Sequence, residues 1–302
     1  MATYTITGGA GFIGSHLVEE VLRRGHAVRD VDNLSTGRRE NLPAAPAVEV
    51  MVGDVSDPAV ARRATAGANV VLHQAAIPSV PRSVEDPASS HRANVEGTLQ
   101  ILIAARDAGV ARLVFAGSSS VYGNAAALPK REDMRPHPLS PYALQKLVGE
   151  EYCRLFTELY GLETVVTRYF NVFGPRQNPG SPYSGVISLF IDAMLAGRSP
   201  RIYGDGEQSR DFTYVDDVVH GVLLAAERPG VAGRVLNVAA GGRVSLLDVI
   251  SALQTILQTT VDPILGPPRA GDVRHSTADI SEARRLLGFE PRTTFADGLR
   301  HT

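Results

Sequence analysis

The chain has 302 residues, with 30 Lys plus Arg against 32 Asp plus Glu, a formal charge of -2, 44% hydrophobic residues, one Cys and no Trp. This is the composition of a soluble globular protein, long enough for one large domain with a smaller appendage. It excludes a basic nucleic-acid surface, a bilayer span of roughly 18 apolar residues, and an internal disulfide or cysteine metal site. Met1 runs straight into Thr3-Tyr4-Thr5-Ile6-Thr7 without a basic or apolar leader, so a cytoplasmic setting is expected. Cys153 falls on a helical pattern and is expected to be a structural thiol.

Short β-branched runs at residues 4–7, 27–31, 48–52, 70–73 and 113–116 alternate with helical patterns such as 15–24 and 94–108. That rhythm predicts βαβ units and a parallel sheet covered by helices on both faces. Directly after the first strand comes Thr7-Gly8-Gly9-Ala10-Gly11-Phe12-Ile13-Gly14, which satisfies Gly-x-Gly-x-x-Gly. Glycines there permit a tight turn and let a pyrophosphate approach the helix N-terminus, so a Rossmann-like doubly wound α/β fold is expected. The second strand ends at Asp32, where a carboxylate binds both hydroxyls of an adenine ribose and repels a 2′-phosphate, favouring NAD over NADP. Arg38 and Arg39 are the alternative, as partners of a 2′-phosphate, and are ranked lower because they follow a flexible stretch. At the end of the third strand, Asp54 can accept from the adenine amino group and Val55 can pack on its ring.

The fifth strand runs into Gly117-Ser118-Ser119-Ser120-Val121-Tyr122-Gly123, at the sheet edge where doubly wound folds bind ligands. A helix follows over 141–160, with Ser140 as N-cap and Pro141 at its first position. Tyr142 and Lys146 lie one turn apart on it, and a nearby ammonium stabilises a phenolate. Lys130 and Lys146 are the two lysines among 30 basic residues, so with nine Tyr this spacing arises by chance at a rate of about 6%. A compact ammonium reaches a ribose hydroxyl and a phenolate where a guanidinium fork fits poorly. After a strand at 163–168 the texture changes, with Gly and Pro clustered at 173–180 and 266–271, as loops that carry specificity. Helical patterns recur at 185–196, 215–227, 246–257 and 280–287, and a short one at 295–299. The expected division is a dinucleotide-binding domain over 1–170 and a smaller C-terminal α/β substrate domain over 171–302, some segments of which return to the sheet.

With these motifs in hand the chain resembles the extended short-chain dehydrogenase/reductases, and among them the NAD-dependent nucleotide-sugar epimerases of the UDP-glucose 4-epimerase type. Further marks of the likeness are Asp32-Asn33-Leu34-Ser35-Thr36-Gly37, His73-Gln74-Ala75-Ala76, Asn94-Val95-Glu96-Gly97-Thr98, Arg168-Tyr169-Phe170-Asn171-Val172-Phe173-Gly174-Pro175-Arg176, the run Tyr203-Gly204-Asp205-Gly206-Glu207-Gln208-Ser209-Arg210-Asp211-Phe212 and Arg269-Ala270-Gly271-Asp272. The resemblance implies NAD held by Gly8, Gly11, Phe12, Ile13, Gly14, Asp32, Asn33, Ser35, Thr36, Gly37, Asp54, Val55, Gln74, Ala75, Ala76, Asn94, Tyr142, Lys146 and Phe170. It implies a UDP-sugar substrate contacted by Ser118, Ser119, Ser120, Tyr142, Asn171, Val186, Tyr203, Gln208, Arg210, Arg269 and Asp272. Within that set Asn171 meets the diphosphate, Tyr203 borders the uracil, Arg210 and Arg269 pair with phosphate oxygens, and Asp272 holds the ribose. No metal is implied.

The chemistry the resemblance implies is C4 epimerisation through a 4-keto sugar, with Ser118, Tyr142 and Lys146 as catalytic residues. Tyr142 takes the 4-hydroxyl proton, Ser118 bridges that oxygen, and hydride leaves C4 and returns to the opposite face. Related dehydratases and decarboxylases carry an acid after the strand-end Ser or Thr, whereas here Ser119 and Ser120 stand there. A UDP-glucuronate 4-epimerase is the alternative, since several arginines are available for a C6 carboxylate. A non-catalytic NAD or nucleotide-sugar binding module is the rival from another class, and the intact Ser118, Tyr142 and Lys146 set speaks against it. Ser276 is expected at a pocket-restricting position, with Arg274 or His275 as alternatives; a small residue there admits an N-acetyl group. The resemblance also implies a homodimer paired through helices 94–108 and 141–160, where Leu99, Leu102, Leu147 and Phe156 serve either the interface or the core.

Overall fold

Seven strands, β1 (Thr3–Thr7), β2 (Ala27–Asp32), β3 (Val48–Val52), β4 (Val70–His73), β5 (Arg112–Ser118), β6 (Glu163–Tyr169) and β7 (Arg234–Val238), form one sheet. The structure, a computed structural model, describes residues 1–178, 185–268 and 273–302. The spatial order is β7-β6-β5-β4-β1-β2-β3 and every pairing is parallel, the doubly wound arrangement expected. Such strands are buried on both faces and therefore read as apolar runs. Leu72, Val114, Val165 and Leu236 pack to one side with Leu17, Val18, Val218 and Val222; Val71, Leu113, Phe115 and Val166 pack to the other with Ile101, Leu102, Cys153 and Phe156. Cys153 is a buried thiol, and Leu102 and Phe156 belong to the internal core.

Helices α1 (Phe12–Arg23) and α4 (Pro141–Tyr160) carry expected site residues, while α2 (Pro58–Thr65) and α3 (Gly97–Asp107) pack on one another. α1 starts at Phe12, three residues ahead of the expected position, and no side chain caps it at Gly11. Its first-turn N–H groups are thus left for a ligand. The Asn94 segment is not regular α-helix: Arg92–Glu96 forms a π turn before α3 begins. α4 matches its expectation, with Ser140 Oγ accepting the Ala143 N–H at 3.2 Å, Pro141 at the first position and Gly161 left-handed at the end. No helix among the described residues is long and apolar enough to cross a membrane.

Candidate active site

The carboxyl ends of β1 to β6 open into one cavity of about 1030 Å³. Its lining runs from Gly8, Gly11, Phe12, Ile13 and Gly14 through Asp32–Arg38, Gly53–Val55 and Gln74–Ser79 to Ser118, Tyr142, Lys146, Phe170 and Asn171. The placement follows from the topology, because every strand in a parallel sheet delivers its C-terminal loop to the same edge.

At the dinucleotide end the glycine loop leaves no room for side chains. Gly8 has φ +72°, and a Cβ on Gly14 would overlap the Gly8 carbonyl oxygen. Gly14→Ala is therefore expected to weaken dinucleotide binding by about a hundredfold or more, read by isothermal titration with NAD; parent-like affinity would show that the loop has slack. Asp32 accepts from Ala10 N at 3.1 Å and Leu34 N at 2.8 Å, which leaves acceptor capacity on both oxygens. Burial raises its carboxyl above the ordinary range. Asp54 accepts from Ser56 N at 2.9 Å and Asn33 Nδ2 at 3.3 Å; burial pushes it up, but these bonds hold it below the usual value. The same floor holds a carboxylate that sequence reasoning missed. Asp30 is fully buried, accepts the Gly9 N–H at 2.8 Å through Oδ1, and leaves Oδ2 without a partner. Burial, with the neighbouring Asp32 charge, raises Asp30 to about 7.

At the reacting end, the Tyr142 phenol and the Ser118 hydroxyl lie together in the cavity wall, and Ser118 acts to lower the phenol's pKa. Ser118 Oγ in turn accepts from Ser120 N at 3.2 Å and Ser120 Oγ at 2.8 Å, so Ser120 orients Ser118. Lys146 Nζ donates to the Ala116 carbonyl at 2.9 Å and lies 4.9 Å over the Phe115 ring and 6.0 Å from the Tyr142 ring centroid. Burial takes this ammonium down to about 8, opposed by the Glu150 charge. The ammonium does not lower the phenol as the Tyr142 and Lys146 spacing predicts: burial raises the Tyr142 pKa, and Ser118 opposes that rise. The reason is that Nζ is turned toward the strand carbonyl rather than onto the phenolic oxygen.

The model of the NAD dependent epimerase/dehydratase family matches residues 4–239. The chain belongs to that family. A UDP-glucose 4-epimerase of Mycolicibacterium smegmatis is 40% identical, covering 98% of this chain and 96% of its own. Among solved structures, a UDP-N-acetylglucosamine 4-epimerase from Methanobrevibacter ruminantium, in complex with UDP-N-acetylmuramic acid, is similar at a TM-score of 0.96 and 39% identity, covering 100% of this chain and 96% of that one. A UDP-glucose 4-epimerase from Thermotoga maritima with UDP-glucose gives 0.95 and 38%, over 99% and 97%.

In this member of the epimerase/dehydratase family most residues expected at the cofactor line the cavity, including Asn33, Ser35, Thr36, Gly37, Asp54, Val55, Gln74, Ala75, Ala76 and Phe170. Asn94 does not. Its side chain accepts from Ile77 N at 2.7 Å and donates to Ile77 O at 3.2 Å and Gln145 Oε1 at 2.8 Å, so it braces the segment that forms the wall. Of the residues expected at the substrate, Ser118, Tyr142 and Asn171 line the cavity, while Ser119, Ser120, Val186, Tyr203, Gln208 and Arg210 are not part of its lining. Gln208 Nε2 donates to Tyr203 O at 2.6 Å, and Arg210 Nη1 donates to Ser209 O at 3.0 Å. Arg269 and Asp272 lie outside the described residues. Ser276 donates its N–H to Ser209 O at 3.1 Å, in the strip that also holds the His275 and Ser209 side chains together. The cavity wall also includes Ser79, Arg82 and Arg92, which sequence reasoning did not single out, and Tyr169 and Arg176, which it placed in a family mark without a site role. Arg176, which ends the 168–176 mark of the resemblance and was given no role there, forks onto Glu19 at 2.9 and 2.6 Å and closes the pocket over α1.

Proposed function

We propose that the protein is an NAD-dependent UDP-sugar 4-epimerase, acting on UDP-glucose and UDP-galactose and on their N-acetylated counterparts. The observation that carries this reading is the Ser118, Tyr142 and Lys146 set at the end of the dinucleotide cavity, with serines rather than carboxylic acids following Ser118 at the strand end. The fit to NAD rests on the chain's own groups: an uncapped helix start, a loop with no space for a Cβ at Gly14, and Asp32 with open acceptor capacity where a 2′-phosphate would be repelled.

NAD, when bound, supplies the acceptor for hydride from C4 and adds positive charge to the site. The chain's residues handle the proton. Tyr142 takes it from the 4-hydroxyl, Ser118 holds the oxygen from which it leaves, and Lys146 keeps positive charge beside a phenol that burial alone would hold neutral. Ser119 and Ser120 offer no acid for expelling a neighbouring hydroxyl, so the 4-keto sugar is reduced back rather than dehydrated. A second copy of the chain would pair along α3 and α4, where Leu144, Leu159 and Tyr160 are exposed.

The test incubates purified protein, first without and then with added NAD, with UDP-galactose and separately with UDP-N-acetylglucosamine, and resolves the nucleotide sugars by chromatography. The C4 epimer of each is expected. Binding of both sugars without conversion in the presence of NAD would overturn the assignment in favour of a binding module.

A further inference from the structure

Beneath the reacting end lies a buried ion pair that the chemistry above leaves unused. Glu150 sits one turn beyond Lys146 on α4, so the two side chains share a helix face. Glu150 is 3% exposed and its partner Arg168, on β6, is 4% exposed. Arg168 Nε donates to both carboxylate oxygens at 3.0 and 3.2 Å, and Nη2 donates to Oε2 at 2.7 Å. The Tyr122 ring lies 4.8 Å from the guanidinium carbon, and the Tyr122 hydroxyl is itself anchored on Asn237 Oδ1 at 2.7 Å. The arginine is therefore fixed from two sides. The carboxylate it holds lies against the active strand: a Cβ on Gly117 would stand 3.1 Å from Glu150 Oε1. Gly117 separates Ala116, whose carbonyl seats Lys146 Nζ, from Ser118.

Among the other titratable groups facing Lys146 on α4, Cys153 is pushed up by burial, and Tyr142, pushed up in the same way, is the base whose phenolate the ammonium would support. From β4 comes His73, which burial and the Lys146 charge take down to about 3, and which is tied to Thr7 and Thr98. Glu150 remains as the anion that opposes the loss of the ammonium proton. Burial pushes the Glu150 carboxyl up, and the Arg168 hydrogen bonds act against that push, keeping the charge where Lys146 needs it.

We propose that Glu150, clamped by Arg168, is a positioning residue for the reaction, keeping Lys146 an ammonium seated on the Ala116 carbonyl. The inference rests on the catalytic reading of Tyr142 and Lys146, and its first readout does not require turnover. Because the chain has two lysines, the intact protein labelled with 13C at the lysine Cε gives two signals, assigned with Lys130→Arg, and their pH titration reports Lys146 directly.

The informative variant is the neutral pair Glu150→Gln with Arg168→Met, since Glu150→Gln alone strands a buried guanidinium, whereas replacing both partners of a buried pair is often tolerated. The Lys146 midpoint is expected at or above about 8 in the parent and lower by about one pH unit or more in the double variant. The alkaline limb of the pH–rate profile should move with it, so that kcat at pH 8.5 falls about tenfold while kcat at pH 6.5 stays within about threefold of the parent. A parent midpoint below 7 overturns the proposal without any variant. So does a folded double variant whose Lys146 midpoint is unmoved, or whose kcat falls by the same factor at every pH. A double variant that cannot fold overturns it in favour of a purely structural pair. If the parent instead shows the expected Lys146 titration but converts no nucleotide sugar, it is the proposed reaction that fails, not the electrostatic coupling.

Discussion

Tyr142→Phe is expected to lower turnover by about a thousandfold or more while leaving the fold and dinucleotide affinity in place. The ring stays on α4, at the position where it now packs, so the substitution removes one oxygen and little volume. What disappears is the phenolic oxygen that, in the proposed reaction, carries the proton. Proton transfer by a placed side chain contributes roughly 10²–10⁴, and here hydride cannot leave C4 unless the 4-hydroxyl proton has an acceptor. The effect should therefore fall on kcat, with a KM close to the parent's and an unchanged thermal midpoint. Chromatographic rates with UDP-galactose, alongside NAD titration, separate these quantities. A variant with a near-normal kcat would move the base to another residue, and one that lost NAD affinity in parallel would make Tyr142 a binding group.

Asp30→Asn is expected to stabilise the protein at alkaline pH and to give almost no gain near pH 5. A displacement of this carboxyl from its ordinary 3.8 to about 7 in the folded state corresponds to about 4 kcal/mol. The sign follows from proton binding. Below the unfolded value of about 4 the group is protonated in both states and the penalty is absent; as pH rises toward 7 the unfolded chain releases its proton while the native state keeps it, and above 7 the full penalty applies. Asparagine keeps the acceptor for the Gly9 N–H but buries an amide where Oδ2 now has no partner, which costs about 1–3 kcal/mol. The net expectation is about 2 kcal/mol of added stability at pH 8.5, read from denaturant unfolding at the two pH values. Equal changes at both would mean that Asp30 holds one protonation state throughout. Removing a negative charge from under the phosphate loop should also tighten NAD binding at pH 8.5.

Much of the cofactor site was legible because its signals are local. A strand, three glycines and an Asp at the end of the next strand describe a turn and a charge whose positions depend on a few dozen consecutive residues. The Tyr142 and Lys146 pair is similarly short-range: helical geometry places residues four apart on one face, and Ser140, Pro141 and Gly161 mark the ends of that helix. α2 was not singled out, although Asp57 caps it through a 2.7 Å bond to Ala59 N and Pro58 opens it; at eight residues its periodicity is too short to stand out.

Groups whose role depends on distant partners were not legible. β7 joins the sheet by pairing with β6 across some seventy residues, a contact no window of sequence contains. Lys130 and Lys146 look alike in the chain, yet both are buried on different business: Lys130 Nζ bonds the carbonyls of Ala125 and Ala127, while Lys146 is turned onto Ala116. Asn94 belongs to a recognisable segment, but its amide is spent on Ile77 and Gln145. Backbone conformation and short spacings were enough to read the doubly wound fold and the dinucleotide loop from the chain, and to nominate Ser118, Tyr142 and Lys146 as the proposed reacting side chains. Only the tertiary structure decided which charges face one another in the absence of water: Asp30 beneath the glycine loop, and Glu150 with Arg168 beneath Lys146. Burial multiplies electrostatic effects that solvent would screen, and burial belongs to the packed molecule, not to any stretch of its chain.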